Sequence, residues 1–377
     1  MKYMGSKRMM LQNGLGELIA ERSHSAGRIV DLFCGASSVS WYAAEKTRLQ
    51  VLAVDLQAYA VTLANAVIGR NVPLDATVLD SEWLTPAEGN RKKSAFWQQA
   101  SCLKNRSLKR LVADSRELCA KDSSIGPVWS AYGGYYFSPA QALSIDYMLK
   151  HLPQTEPRRA VCLAALISTA SKCAASPGHT AQPFRPTRKA GVFLREAWRR
   201  DPVAVARITL EQICPRHANT IGRAEESNAI EIARHLTPKD LVIVDPPYSG
   251  VQYSRFYHVL ETIARGHCGS VAGAGRYPEI SKRPQSAFCN KSESRAALEK
   301  LLGNLAESGS TVILTFPAGE CSNGLSGRSV TKIALENFVI RKKVVKTRFS
   351  TLGGNNSLRK SRNPRNELLL LLQPKVG

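Results

Sequence analysis

The chain has 377 residues, 44% of them hydrophobic and 22% charged; at roughly 100–200 residues per domain this is about two domains, or one with a large insert, around a real core. Its 52 basic residues against 30 acidic ones leave a formal charge of +22, with a sequence pI near 9.8, the footprint of a polyanion binder. No apolar run reaches the roughly 20 residues of a membrane helix, the opening MKYMGSKRMM lacks a signal-peptide core, and nine cysteines without a C-x-x-C pair suit neither a disulfide framework nor zinc. A soluble, cytoplasmic protein with no metal is expected.

Apolar spacing predicts a helix around 14–22, a strand at 28–33, a helix at 37–46, a strand at 50–54 and a helix at 59–68. Residues 75–80 (DATVLD) read as a third strand. This alternation predicts a mainly parallel α/β sheet. The first strand runs into V-D-L-F-C-G-A-S-S-V (30–39). A strand that ends in a Gly turn and opens a helix lets a ligand approach the backbone, though an ordinary strand-to-helix turn has the same look. It is not G-x-G-x-x-G, so the dinucleotide fingerprint is absent. Asp55 ends the second strand about 20 residues after Gly35, where an acid suits ribose hydroxyls or caps a helix.

From about 83 to 219 the alternation stops. The segment is basic and punctuated by Gly and Pro, with helical spacing at 141–152 and 158–172. Trp129, Tyr132, Tyr135, Tyr136 and Phe137 read as a small core in preference to a stacking platform. Strands resume at 240–244 and are expected at 310–316, 338–346 and 367–372, the last two as a terminal hairpin. Three basic clusters stand out: 91–110 with seven basic residues and no acid, 185–200 with six and a single Glu196, and 341–365 with nine and no acid. Phosphate neutralisation is the usual reason for such excess, so nucleic acid is the expected partner.

The most informative string is L-V-I-V-D-P-P-Y-S-G (241–250). Two prolines fix φ and remove two donors, leaving carbonyls free to accept. Asp245 adds an acceptor and Tyr248 a flat face. Together they suit an exocyclic amine on an aromatic ring.

On these residues the chain resembles the Dam-like adenine-specific DNA methyltransferases. The resemblance runs through K-Y-M-G-S-K-R (2–8), D-L-F-C-G-A-S-S-V (31–39), V-D-L (54–56), D-P-P-Y (245–248) and R-F-Y-H-V-L-E-T (255–262), and Y-G-G-Y-Y-F-S (132–138) and S-P-G-H-T-A-Q (176–182) point to a less-studied branch. It implies a Rossmann-like methyltransferase sheet, mostly parallel with a terminal antiparallel hairpin, over 1–82 and 235–377, with a largely helical target-recognition insert over 83–234. It implies S-adenosylmethionine as cofactor, bound by Tyr3, Lys7 near its carboxylate, Asp31, Phe33, Gly35 and Ser38 on the methionine side, and Asp55 at the ribose. Asp245, Pro246, Pro247 and Tyr248 would form the catalytic pocket for a flipped adenine, with Asp245 also bordering the cofactor. Double-stranded DNA is the implied substrate, with room for a cognate restriction or defence partner and no membrane.

Two positions depart from the family pattern. Gly35-Ala36-Ser37 stands where a second glycine is usual, which predicts weakened cofactor binding. Asn228 stands where the family places an acid against the cofactor's adenine. D-P-P-Y serves exocyclic amines generally, so cytosine-N4 methylation and RNA methylation are alternatives, and a catalytically silent DNA-binding module is the reading from another class.

Overall fold

The computed structural model describes residues 7–103, 106–350 and 362–375, with the side chains of 347–350 and 362–365 left aside. In chain order its strands are β1 (Arg28–Asp31), β2 (Gln50–Asp55), β3 (Arg223–Glu226), β4 (Asp240–Val244), β5 (Val271–Ala272), β6 (Tyr277–Pro278), β7 (Thr311–Pro317), β8 (Phe338–Ser350) and β9 (Arg362–Pro374). Seven of them form one sheet in the order β3-β2-β1-β4-β7-β9-β8. β3 to β7 of that sheet run parallel, and β9 runs antiparallel to both β7 and β8. The expected fold is therefore the observed one: a Rossmann-like, mostly parallel sheet that closes in an antiparallel hairpin.

The central strands are short apolar runs covered on both faces, as parallel strands must be. β4 is buried along its whole length, and Val30, Val54, Val242 and Val244 share a core with Leu298, Leu301 and Leu302 of the helix Ser294–Glu307. At the amino ends of β1 and β4, Arg28 donates to both oxygens of Asp240, at 2.7 and 3.0 Å.

One expected strand is absent. Residues 75–80 do not join the sheet, because the Asp75 carboxylate accepts the N–H groups of Thr77 and Val78 and starts a helix, Ala76–Leu79. The third strand of the parallel set is β3 instead, the polar segment RAEE.

The chain divides into two compact units. A sheet unit takes in Met4–Val72, His217–Tyr253 and Pro284–Gly377, and a helical unit takes in Pro73–Arg216 and Ser254–Arg283. These limits differ from the expected 83–234. Residues 217–234 carry β3 and the helix Ala229–Ala233 and belong with the sheet. Residues 254–283 return to the helical unit, bringing most of the helix Tyr253–Arg265 and the β5–β6 ribbon.

In the helical unit, Arg158–Cys173 is almost wholly buried, and the Trp83 indole donates to the Met148 carbonyl at 2.7 Å. Trp129, Tyr132, Tyr136 and Phe137 are fully buried, so the aromatic string is core, with Tyr135 at its margin. His258 sits among Tyr132, Tyr136 and Tyr277, 2.9 Å from the Gly275 carbonyl. Burial lowers its pKa to about 4, so it is a neutral core histidine. Among the described residues no helix is long and apolar enough to cross a membrane.

Candidate active site

The strand order reverses between β1, which leads to β2 and β3 on one side, and β4, which has β7 on the other. Open α/β sheets bind ligands at such a switch point, beyond the carboxyl ends of the strands. Three acids stand there. Asp31 ends β1, Asp55 ends β2, and Asp245 follows β4.

The loop after β1 is held by its backbone. The Cys34 N–H donates to the Val54 carbonyl at 3.0 Å, and the Ser37 N–H to the Cys34 carbonyl at 2.6 Å. Gly35 and Ser37 both have positive φ, 46° and 60°. Asp55 braces the turn: one carboxylate oxygen accepts the Gly35 N–H at 2.9 Å and the other the Gln57 N–H at 3.1 Å. Ser38 opens the helix Ser38–Lys46. Phe33, half-buried, meets Phe288 edge-on at 5.2 Å. The Asp31 carboxylate is buried and accepts the Ser40 hydroxyl at 2.6 Å. Burial pushes its pKa up to about 7 against the pull of that hydrogen bond.

The loop after β4 is fixed from the far side. Asn323, fully buried, donates to the carbonyls of Pro247 and Phe288 at 3.0 and 3.1 Å and accepts the Leu325 N–H at 3.2 Å. The Ser322 hydroxyl accepts the Gly250 N–H at 2.9 Å. The Pro246 carbonyl makes no hydrogen bond among the described residues. Tyr248 packs against the sheet core and hydrogen-bonds with Tyr253. Burial raises its phenol well above the usual tyrosine range.

Asp245 is anchored through one oxygen. Its Oδ1 accepts the Thr315 hydroxyl at 2.8 Å and lies 3.0 Å from the Lys7 ammonium. The same ammonium lies 3.1 Å from Glu367 Oε1 on β9. Oδ2 of Asp245 makes no contact of this kind among the described residues. Lys7 is only 3% exposed and Glu367 is buried beside it. Burial by itself would lower the Lys7 pKa, but Asp245 and Glu367 outweigh it and hold the ammonium above the ordinary lysine range. Burial raises the Glu367 carboxyl, and Lys7 opposes that rise.

The structure thus brings Lys7 to Asp245, near Tyr248, and gathers Phe33, Gly35 and Ser38 with Asp31 and Asp55 around the neighbouring turn. Tyr3 lies outside the described residues. Lys7, expected near a cofactor carboxylate, is engaged with two carboxylates of the protein. Asn228 follows β3 at the same edge, exposed, with its side-chain oxygen accepting the Ile230 N–H at 2.9 Å as a helix cap. Glu367, Asn323 and Thr315 escaped the sequence reading. A signal was there for Glu367, the single acid between nine basic residues and the run L-L-L-L-L.

No curated protein matches the chain. The profile of the D12 class N6 adenine-specific DNA methyltransferases matches residues 3–99 and 195–313, more than half of the chain. The matched segments contain Lys7, the Gly35 turn, Asp55 and Asp245 to Tyr248, the residues that the fold gathers at the switch point. Residues 100–194, outside the match, lie within the helical unit. Motif order, sheet topology and the extent of that match agree, and the chain belongs to the D12 class N6 adenine-specific DNA methyltransferase family.

Proposed function

We propose that this protein methylates the N6 amine of an adenine at a specific sequence in double-stranded DNA, with S-adenosylmethionine as donor and the target base turned out of the helix. The observation that carries this reading is the acceptor pair at the switch point. Among the described residues Asp245 is tied down through Oδ1 alone, and the next carbonyl, that of Pro246, makes no hydrogen bond.

The site's residues fit that cofactor. Three carboxylates stand at the strand ends against the buried ammonium of Lys7, which Glu367 already shares. The surplus of negative charge suits a ligand that carries a sulfonium and an amino group. Asp55 would hold ribose hydroxyls, Asp31 with Phe33, Gly35 and Ser38 the methionine portion, and Asn228 the adenine. When bound, the cofactor supplies a methyl group already activated by the positive sulfur.

An aromatic amine is a poor nucleophile, because its lone pair is drawn into the ring. Asp245 Oδ2 and the Pro246 carbonyl accept its two hydrogens and favour a pyramidal nitrogen whose lone pair points away from both. Positioning that nitrogen against the methyl group supplies much of the rate. The amine edge is out of reach inside a duplex, so the base must leave the stack, and Tyr248 provides an aromatic face for it. The helical unit carries two of the three basic clusters and is the proposed reader of sequence, since phosphate contacts alone do not specify one.

Replacing Asp245 tests the reading. Asp245→Ala should abolish methyl transfer to DNA while changing S-adenosylmethionine affinity only a few-fold by calorimetry. Turnover within a few-fold of wild type would sink it.

A further inference from the structure

Lys7 is a single cation between two carboxylates, and only one of those belongs to the acceptor pair. Glu367 comes from β9, two strands away from β4 in the sheet, with β7 between them. β7 contributes Thr315 to the same Asp245 oxygen. Lys7, Thr315 and Glu367 therefore form a buried row behind Asp245, at 3.0, 2.8 and 3.1 Å along its links. A structural role for Lys7 needs one carboxylate. Burying a second costs desolvation free energy, and a role in the reaction would account for its presence.

From this geometry we propose that Glu367 is a positioning residue for methyl transfer, which holds Lys7 so that Asp245 keeps a net negative charge toward the substrate amine. The proposal rests on the reading of Asp245 as the acceptor of that amine. With Glu367 ionised beside Lys7, the row Asp245–Lys7–Glu367 carries one negative charge. Without it, Asp245 and Lys7 form a neutral pair, and the acceptor facing the amine is weakened.

The charge matters because of how the reaction runs. The nitrogen lone pair forms the new N–C bond while the C–S bond breaks with its pair going to sulfur. The positive charge passes from sulfur to nitrogen, and the nitrogen then releases a proton to solvent. Positive charge moves toward Asp245 as the transition state is reached. A fixed negative charge there stabilises the transition state more than the bound reactants, which raises the rate and leaves binding nearly alone.

The test is a double-mutant cycle in the full chain, with Glu367→Gln, Lys7→Met and the pair combined. Single-turnover methylation of DNA adenine, S-adenosylmethionine affinity and thermal midpoint are read for each. Glu367→Gln should slow methyl transfer by about tenfold or more while cofactor affinity stays within about threefold. In the Lys7→Met background the same change should cost nothing further, because it acts through Lys7. Glu367→Asp, which keeps the charge, should recover part of the rate. Equal losses in both backgrounds, or a loss confined to cofactor affinity, would overturn the proposal. Should Glu367→Gln fail to fold, the double variant decides it: a rate at or near that of Lys7→Met supports the proposal, and a rate well below it counts against. An inactive wild type would instead refute the methyltransferase reading itself.

Discussion

Ser37 holds a left-handed backbone at φ 60°, which costs a residue with a β-carbon roughly 1–2 kcal/mol and glycine almost nothing. This is why a second glycine is usual in that turn. Here the serine is retained with its hydroxyl 3.3 Å from the Ala60 carbonyl. Ser37→Gly should stabilise the protein by about 0.5–1 kcal/mol in urea unfolding; a loss of stability would mean that the hydroxyl contact outweighs the strain. Asp31 makes a second residue-level prediction. Its pKa rises from 3.8 to about 7 on folding, so the folded state keeps a proton that the unfolded state loses between those values. Its contribution to stability is full at low pH, falls as pH climbs from about 4 to 7, and is level above. Asp31→Asn cannot ionise, so its stability relative to wild type should increase between pH 5 and 8. A difference that does not change with pH would refute the assignment.

At the scale of elements, the loop after β4 owes its shape to Asn323. Asn323→Ala would leave the buried Phe288 carbonyl without this donor, at a cost of roughly 1–3 kcal/mol, and would release the part-buried Pro247 carbonyl. The expected result is a lower melting temperature together with slower methylation; a variant that melts lower but turns over normally would show that the loop does not need this clasp. Legibility in the sequence followed the chemistry of each element. β1, β2, β4 and β7 were plain because buried parallel strands are apolar runs. β3 was not, because RAEE at the sheet edge has no apolar pattern, while Thr77 and Val78 lent 75–80 a strand-like look that the Asp75 cap overrides. Asp245 and Tyr248 stood out because two prolines after a buried strand are unusual. Glu367 was hidden because its partner is 360 residues away, and no local pattern carries such a contact. The unit limits near 217 and 254 were hidden for the same reason, since a returning helix looks like any other.

Over the whole molecule the charge is sorted. In the helical unit Lys92, Lys93, Arg106, Lys109 and Arg110 are exposed, as are Arg185, Arg188, Lys189 and Arg199. Arg195 and Arg200 are half-buried, and Arg91 is buried: it donates to Ser144 at 2.6 Å and lies 3.6 Å from Asp201, so it serves the fold. In the sheet unit the third cluster lines β8 with exposed Arg341, Lys342, Lys343 and Lys346. Binding that neutralises about six to ten phosphates would lose on the order of 10³-fold or more in affinity between 50 and 200 mM salt. Fluorescence anisotropy with a duplex should show this slope, and a flat response would remove nucleic acid as the reason for the charge.

The position of β9 between β7 and β8 has a consequence for how the protein is made. Its five consecutive leucines pair with β7, and its Glu367 completes the ion-paired row begun by Lys7. During synthesis the ribosome delivers Lys7 early and Glu367 late, so the row cannot close until that late strand has emerged. Until then β7 is an open edge of apolar residues, the kind of template on which nascent chains stick to one another. Any truncation that removes β9 should therefore give a chain that aggregates before it can be assayed.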